Sequence, residues 1–384
     1  MENLPKGGRP AGVLAPVPSA DLAWLLGVDQ DGVDDALGQL IPGARAATAS
    51  VDPLPHTLGS PATHGVYRVR GRGKDDQEWS LFCKVLQHLK HWPGLAMMPP
   101  QLAQSFAADF PWRSELDLWH PRVQASLPPG LRSPVLHRLI ELGDDRVAAW
   151  QEDIAQPAPF RGLDQFALAA RLLGRWNARS TGAGVLALAP YPPNYALRMY
   201  AEHSVRFRGL LPLADDALWT HPWLAPHGDL RSRLRDLGDR IPAMLETLDA
   251  ATLCLPHGDA SPQNLLVPSD DSAAFIVIAL SFRAPHALGF DLGQLLVGLI
   301  HEGKLPAAML PAIADVIVPA YLEGLAVEGV TGEDDAVRRS FALATMLRSG
   351  FDSMLYDLIG SDDPADRHTF AERVALTSFI SQLV

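Results

Sequence analysis

Three polar residues within residues 255–267, LPHGDASPQNLLV, have the types and spacing that phosphoryl transfer requires. Asp259 follows His257 by two positions, and Asn264 follows Asp259 by five, directly before an apolar run. An aspartate carboxylate can accept the proton of an attacking hydroxyl, and an asparagine amide oxygen can hold a magnesium ion. The pattern therefore predicts a catalytic loop that leads into a short strand, with His257 packed beneath the loop as structural support.

A second HGD, at residues 227–229, lacks the rest of this pattern. The position five residues after Asp229 is Leu234 rather than an asparagine, and a charged helical pattern follows instead of an apolar strand. Asp229 is expected to be a helix N-cap or a first-turn acid. The HGD triplet is thus a weak signal alone, and it becomes specific when the asparagine and the strand accompany it.

The segment HGDASPQNLL resembles the catalytic loop of the aminoglycoside phosphotransferase family, the small-molecule branch of the protein-kinase-like fold. The resemblance implies that Asp259 is the catalytic base, that Asn264 is a metal ligand, and that ATP or GTP and Mg²⁺ are the cofactors. It also implies an α+β fold with two lobes. The small lobe would be an antiparallel β-sheet with one key helix, and the larger lobe would be mainly α-helical.

Lys84 lies in an apolar strand, WSLFCKVL, where an ammonium group needs a partner because an unpaired buried charge is costly. In the resembled family, the lysine of the third strand contacts the α and β phosphates of the nucleotide and pairs with a helix glutamate. Glu115, in WRSELDLW, is the matching candidate. The alternatives are an edge-strand lysine that points to water and a glutamate on a solvated helix face.

Further nucleotide contacts are predicted on both sides of Lys84. The loop that precedes it offers small residues whose N–H groups can close over phosphates, although a plain hairpin turn is an equally good interpretation. The loop residues are Ser60, Thr63, His64 and Gly65. The segment WQEDI resembles the hinge between the lobes of the family, where backbone groups receive the purine. Its residues are Gln151, Glu152 and Ile154.

The predicted domains are an N-terminal extension over residues 1–53, a small nucleotide-binding lobe over residues 54–153, and a large helical lobe over residues 154–384. The extension is expected to form two short helices that pack on the small lobe. The large lobe is expected to contain helices over residues 163–180, 230–248, 306–324, 333–359 and 364–383. The second of these carries Pro242, where a break is expected.

One position departs from the resembled family. Family members end the strand at residues 275–278 with an aspartate, their principal magnesium ligand, and Ala279 stands at the matching position. A methyl group cannot coordinate a hard cation, which prefers oxygen ligands. Three explanations stay open: a degenerate relative that binds nucleotide or substrate poorly or without turnover, a substitute carboxylate, or a chain that differs here from its natural sequence. The substitute candidates are Asp259, Asp270, Asp271 and Asp291, the last of which is otherwise expected to anchor the loop.

The composition excludes several other classes of protein. The net charge of −12 disfavours a nucleic-acid partner and suits a cationic small substrate, although solubility explains the charge at least equally well. No apolar run is expected to span a bilayer, and prolines interrupt the N-terminal apolar stretch. Cys83 and Cys254 lie far apart in sequence, so we expect reduced, buried thiols in a cytoplasmic protein.

These observations predict an ATP- or GTP-dependent O-phosphotransferase that acts on a hydroxyl of a small cationic molecule. An aminoglycoside or a basic peptide antibiotic fits this description, and the activity would then confer antibiotic resistance. The first alternative is a catalytically impaired pseudokinase that sequesters a small molecule, and the second is a metabolic kinase for a sugar or amino alcohol. We expect a monomer or weak dimer with neither nucleic-acid nor membrane partners.

Overall fold

The computed structural model describes residues 20–54, 60–73, 76–98, 100–154, 160, 162–189, 191–269 and 273–384. The chain divides into two compact units. The described residues of the smaller unit are those within 20–120 and 133–154, and those of the larger unit lie within 121–132 and 160–384. The smaller unit carries an antiparallel sheet and the larger unit is mainly helical, in agreement with the predicted α+β fold.

The strands follow in chain order. They are β1 (Ser50–Pro53), β2 (Thr63–Arg72), β3 (Glu78–Gln87), β4 (Leu131–Arg132), β5 (Leu136–Gly143), β6 (Arg146–Glu152), β7 (Leu253–Cys254), β8 (Leu265–Leu266), β9 (Phe275–Val277) and β10 (His286–Ala287). The five-stranded sheet of the smaller unit has the order β1-β2-β3-β6-β5, and every neighbouring pair is antiparallel. The strand that carries Lys84, β3, is therefore central in this sheet.

Two features of this sheet differ from the sequence analysis. Strand β2 begins at Thr63, so Thr63, His64 and Gly65 belong to the strand that pairs with β3 and not to the preceding loop. Strand β1 pairs with β2 and ends at Pro53, before the boundary at residue 54 where the small lobe was expected to begin. The sheet therefore starts inside the stretch that was interpreted as an N-terminal extension.

The helices also follow in chain order. They are α1 (Leu22–Leu26), α2 (Val33–Leu40), α3 (Pro100–Asp109), α4 (Pro121–Ser126), α5 (Gly162–Arg179), α6 (Ala183–Leu186), α7 (Tyr195–Tyr200), α8 (Leu211–Ala214), α9 (Gly228–Asp239), α10 (Ile241–Asp249), α11 (Phe290–His301), α12 (Leu310–Val327), α13 (Asp334–Thr345) and α14 (Pro364–Leu383). Helices α1 and α2 pack on the sheet of the smaller unit, and the indole N–H of Trp150 donates to the Leu25 carbonyl at 3.0 Å. Asp21 caps α1 by accepting from the Ala23 N–H.

Helices α5 and α12 of the larger unit touch backbone to backbone. A Cβ at Gly174 would collide with the Tyr321 carbonyl oxygen, and a Cβ at Gly324 would collide with the Arg171 carbonyl oxygen. Glycine at both contacts permits this close approach. It brings Asn177 and Tyr321 within hydrogen-bond distance of each other, 3.0 Å, in the buried layer beneath the predicted catalytic loop.

The described helices include one long apolar segment. Residues Ala307–Val327 have the length and composition of a membrane-spanning helix, and 44% of the most apolar window is buried. The core helix of a soluble protein meets the same criteria. The close contact between α12 and α5 is the kind of packing that a core helix makes.

Candidate active site

The predicted catalytic loop connects β7 to β8 and ends in a single 3₁₀ turn, Pro262–Asn264. Strand β8 pairs with β9 in an antiparallel hairpin, with Leu265 opposite Val277. The N–H of Ile278 donates to the Asn264 carbonyl at 3.1 Å. The hairpin thus returns the end of β9 to Asn264, and Ala279 follows directly.

Asp291, in the first turn of α11, anchors the loop from below. Its carboxylate accepts the backbone N–H groups of His257 at 3.0 Å and Gly258 at 2.9 Å, and the Asn177 amide at 3.2 Å. Burial raises the pKa of this carboxyl, and the three donors oppose that rise. Because both oxygens are engaged inside the protein, Asp291 is not placed to serve as the substitute metal ligand that the sequence left open.

Gly258 gives the loop its tight shape. Its φ of +88° lies in the left-handed region, and a Cβ at this position would collide with the Ser281 carbonyl oxygen. In turn, the Ser281 N–H donates to the His257 carbonyl at 3.3 Å. The loop and the segment that follows β9 therefore lie in direct backbone contact, which glycine alone allows.

His257 is fully buried beneath the loop. Its Nδ1 lies 3.2 Å from the Asp259 N–H, and its ring meets the Trp176 ring edge-on, with centroids 5.9 Å apart. Burial lowers the pKa of His257 to about 3, so the ring is neutral near pH 7. A neutral ring with Nδ1 as the acceptor fixes the backbone at Asp259.

The Asp259 carboxylate reaches solvent, with 30% of the side chain exposed. The Asn264 amide nitrogen donates to Oδ2 of Asp259 at 3.1 Å and to the Asp259 carbonyl at 2.8 Å. Oδ1 of Asp259 accepts from Arg348 at 2.9 Å. Since the Asn264 nitrogen faces Asp259, the amide oxygen is on the other side of the carboxamide, where it is available to a cation or a ligand.

Arg348 is the functional candidate that the sequence analysis missed. It lies in a π-helical turn, Met346–Gly350, that continues α13, within the range predicted as one helix over residues 333–359. Its guanidinium is stacked on Phe282, 4.3 Å from the ring centroid, and lies 5.5 Å from that of Phe290. A lone arginine among apolar residues in FALATMLRSGF was the available signal, because a buried charge needs a partner.

The described residues do not fit a magnesium site of the expected kind. Asn264 offers one amide oxygen and the Ala279 side chain offers none, while Asp259, one of the proposed substitutes, already accepts Arg348 on Oδ1 and Asn264 on Oδ2. Across the described part of the chain, no three His, Cys, Asp or Glu side chains are grouped so that they could hold a metal ion. Two of the proposed substitute ligands, Asp270 and Asp271, lie outside the described residues.

Lys84 and Glu115, in the smaller unit, form an ion pair. Their Nζ and Oε2 atoms are 2.6 Å apart, and the side chains are 15% and 16% exposed. Glu115 lies in a 3₁₀ segment, Ser114–Trp119, where the sequence analysis expected a helix. Because β3 has a partner strand on each side, the alternative of an edge-strand lysine pointing to water is wrong.

The remaining predicted nucleotide contacts precede or follow this pair in the chain. The Ser60 carbonyl accepts the Thr63 N–H in a turn. Thr63 itself is buried. His64 Nδ1 lies 3.2 Å from the Gln87 side-chain oxygen, and burial lowers the pKa of His64. Gly65 pairs with Val85 of the neighbouring strand.

The predicted hinge residues lie at the end of β6. Gln151 is buried in the sheet. The Glu152 N–H donates to the Val135 carbonyl at 2.8 Å, so this backbone donor of the predicted hinge is already engaged. The Glu152 carboxylate in turn accepts the Val135 N–H at 3.0 Å. Ile154 is half-buried and follows the strand.

Neither a protein-family model nor a curated protein matches the sequence. Among solved structures, an aminoglycoside phosphotransferase from Alicyclobacillus acidocaldarius superposes with a TM-score of 0.53 at 12% identity, over 96% of this chain and 98% of that one. The GDP complex of aminoglycoside 2'-phosphotransferase-IIIa gives 0.49 at 14% identity, over 90% and 96%. The aminoglycoside-3'-phosphotransferase of type VIII gives 0.41 at 22% identity, over 82% and 97%. The first likeness confirms the predicted two-lobed, kinase-like fold.

Proposed function

We propose that the chain is an ATP- or GTP-dependent O-phosphotransferase that acts on a hydroxyl of a small cationic molecule. The observation that carries the proposal is the state of Asp259. Its carboxylate is oriented on both oxygens by Arg348 and Asn264, it reaches solvent, and the loop that holds it is anchored by a buried carboxylate. A solvated surface aspartate has no need of such support.

Asp259 would act as the general base for the acceptor. The acceptor oxygen would form a bond to the terminal phosphorus of the nucleotide, its proton would pass to the Asp259 carboxylate, and the nucleoside diphosphate would leave. General-base help of this kind contributes about 10²–10⁴ in rate, and positioning supplies much of the rest. The role requires an aspartate with fixed orientation and free access, and Asp259 has both.

Lys84 would bind nucleotide phosphates in the smaller unit, and Glu115 would orient Lys84. The contact of 2.6 Å between their charged groups holds the ammonium in one place while the pair stays partly exposed. A fixed ammonium is suited to phosphate oxygens, because it costs no further ordering when the nucleotide binds. Ser60, Thr63, His64, Gly65, Gln151, Glu152 and Ile154 remain predicted nucleotide contacts.

The described residues supply too few ligands for the predicted Mg²⁺. The described residues supply one amide oxygen, from Asn264, and a methyl group at the position where the resembled family has its main ligand. The proposal therefore assigns no step to the ion. Turnover should be slower than the ~1–100 s⁻¹ of ordinary kinases, because the charge of the transferring phosphate lacks its usual clamp.

The preference for a cationic acceptor rests on charge. A net charge of −12 attracts cations and repels anionic acceptors and nucleic acid. The crystallised relative that shows the fold is named an aminoglycoside phosphotransferase, and aminoglycosides are small, cationic and rich in hydroxyls. An aminoglycoside-like compound or a basic peptide antibiotic is the acceptor we propose, for a cytoplasmic monomer or weak dimer without a membrane partner.

A binding protein without turnover is the second candidate, and Ala279 is the observation that favours it. Such a protein would sequester the same class of small molecule in the larger unit. It would keep the folded loop and the Lys84–Glu115 pair while lacking the ligand set for rapid transfer. The two candidates differ in one property, the formation of a phosphorylated product.

The chain contains its own control for the test of this function. The purified protein is incubated with γ-labelled ATP or GTP and a panel of aminoglycosides, beside Asp259→Asn and Asp229→Asn. Asp229 lies in the other HGD, exposed in the first turn of α9. We expect labelled product from the parent chain and Asp229→Asn, and a fall of about 10²-fold or more in Asp259→Asn. Equal transfer by both variants would contradict the proposal, and antibiotic binding without any product would favour the second candidate.

A further inference from the structure

Arg348 joins two parts of the catalytic loop with one side chain. Its Nη1 donates to the Gly258 carbonyl at 2.5 Å, and its Nη2 donates to Oδ1 of Asp259 at 2.9 Å. The planar guanidinium holds these donors at a fixed separation. The backbone before Asp259 and the carboxylate of Asp259 are consequently held in one geometry by one rigid group.

The guanidinium is itself held in place. The Arg348 side chain is 7% exposed and stacks on Phe282, with Phe290 as a second aromatic neighbour. The π-helical turn that carries it is a local departure from α-helical geometry of a kind often found at functional sites. Burial and stacking leave Arg348 little freedom to move away from the loop.

This contact orients Asp259 without blocking it. A carboxylate has about four lone-pair positions, so each oxygen can accept a second hydrogen bond. Arg348 takes one position on Oδ1, Asn264 takes one on Oδ2, and the side chain keeps 30% exposure. An acceptor hydroxyl can therefore still approach the carboxylate.

Arg348 also provides a positive charge beside the Asp259 carboxylate. Ala279 supplies no carboxylate to bring in a metal ion, and the described residues form no alternative metal cluster. The Asp259 side chain is 30% exposed, so water compensates its charge only in part. The Arg348 guanidinium supplies a cation as part of the protein.

We propose that Arg348 is the positioning residue for Asp259, and that its forked geometry, beyond its positive charge, fixes the carboxylate toward the acceptor hydroxyl. This inference rests on the proposed phosphotransferase function. It predicts that a lysine, which cannot bridge the Gly258 carbonyl and the Asp259 carboxylate with a planar fork, replaces Arg348 poorly.

The test compares Arg348→Ala and Arg348→Lys with Arg283→Ala. Arg283 is also buried and donates to the same loop, at the Pro256 carbonyl, 2.7 Å away. Nucleotide turnover, KM, thermal unfolding and rescue by added methylguanidine are measured for each. A misplaced catalytic group costs about 10²-fold, so we expect this loss in kcat for Arg348→Ala, about 10-fold for Arg348→Lys, and KM values within about 2-fold.

Methylguanidine separates positioning from general support of the fold. We expect it to restore kcat by about 10-fold in Arg348→Ala and to leave Arg283→Ala unchanged, since the cavity left by Arg348 adjoins the Asp259 carboxylate and the one left by Arg283 adjoins the Pro256 carbonyl. Parent-like kcat in Arg348→Ala, or equal unrescued losses in both alanine variants, would overturn this inference while the parent enzyme still turns over. Absence of turnover by the parent with every nucleotide and acceptor would overturn the proposed function and this inference together.

Discussion

The Arg348 guanidinium lies 2.9 Å from the Asp259 carboxylate, although 89 residues separate the two in sequence. The same loop is held from the other side by Asp291, which accepts the N–H groups of His257 and Gly258. A cation therefore fixes the side chain of Asp259, and a buried anion fixes the backbone that leads to it. The proposed base is placed by residues from two separate helical segments.

Replacement of Asp291 tests the backbone anchor. Asp291→Asn puts an amide group where three donors converge on a fully buried carboxylate. We expect the free energy of unfolding to fall by about 2–4 kcal/mol, because buried donors lose a charged acceptor. Chemical denaturation measures the loss. Asp315→Asn, on the exposed face of α12, is the control and should stay within about 0.5 kcal/mol; an equally small change in Asp291→Asn would contradict the anchor.

Position 279 can be tested with two variants of different chemistry. Ala279 has a φ of +57°, a conformation that glycine, asparagine and aspartate adopt more readily than alanine. Ala279→Gly should raise the free energy of unfolding by about 1 kcal/mol through relief of this conformation. Ala279→Asp should in addition strengthen Mg²⁺-dependent nucleotide binding about 10-fold or more, because it adds an oxygen ligand beside Asn264.

Calorimetric titration of Mg²⁺ and nucleotide into both variants and the parent separates the two effects. The glycine variant controls for the backbone, because it removes the methyl group without adding a carboxylate. Indistinguishable Mg²⁺ dependence in the glycine and aspartate variants would mean that residue 279 does not lie at a metal position.

The buried His286 predicts how stability changes with pH. Burial, and to a lesser extent the charge of Arg348, lowers its pKa from 6.5 to about 3. Between these two pKa values the unfolded chain therefore binds more protons than the folded chain. The contribution of His286 to the free energy of unfolding is complete above about pH 6.5 and is lost as the pH falls toward 3. Acidification from pH 7.5 to pH 5 should lower the free energy of unfolding by about 2 kcal/mol through this residue.

Denaturation curves of the parent and of His286→Gln at the two pH values check this prediction. The variant lacks the titrating ring and should lose about 2 kcal/mol less than the parent on acidification. The opposing change from Asp291, whose pKa is raised by burial, is common to both proteins and cancels in the comparison. Equal sensitivity to acid would show that His286 does not titrate as proposed.

The sequence predicted the features that depend on residues close to one another in the chain. The spacing of His257, Asp259 and Asn264, with the apolar run that follows, predicted a loop that leads into a short strand, and β8 begins directly after Asn264. The apolar surroundings of Lys84 pointed to a buried ion pair, and the partner suggested by the resemblance is the one found in the structure. In each case, a polar residue in an apolar pattern has few physical solutions.

Other features depend on contacts between distant segments. In the sequence, Arg348 looks like one more residue of a long helix. Its contact with Asp259 forms only because the π-helical turn after α13 packs beside the loop. The placement of Thr63 within β2 depends on pairing with β3. Tertiary packing decides such features, and local propensity does not encode it.

The proposed phosphotransferase function depends on nucleotide binding at the Lys84–Glu115 ion pair. Calorimetric titration of ATP and GTP compares the parent chain with Lys84→Met and Lys90→Met. Lys90 also forms ion pairs, at 2.9 Å with Asp144 and 2.7 Å with Asp145, on the surface of the same unit. We predict that at least one nucleotide binds the parent and Lys90→Met equally well and binds Lys84→Met about 10-fold or more weakly. Absence of binding to the parent, or equal affinity in Lys84→Met, would contradict the assignment of this chain as a nucleotide-dependent phosphotransferase.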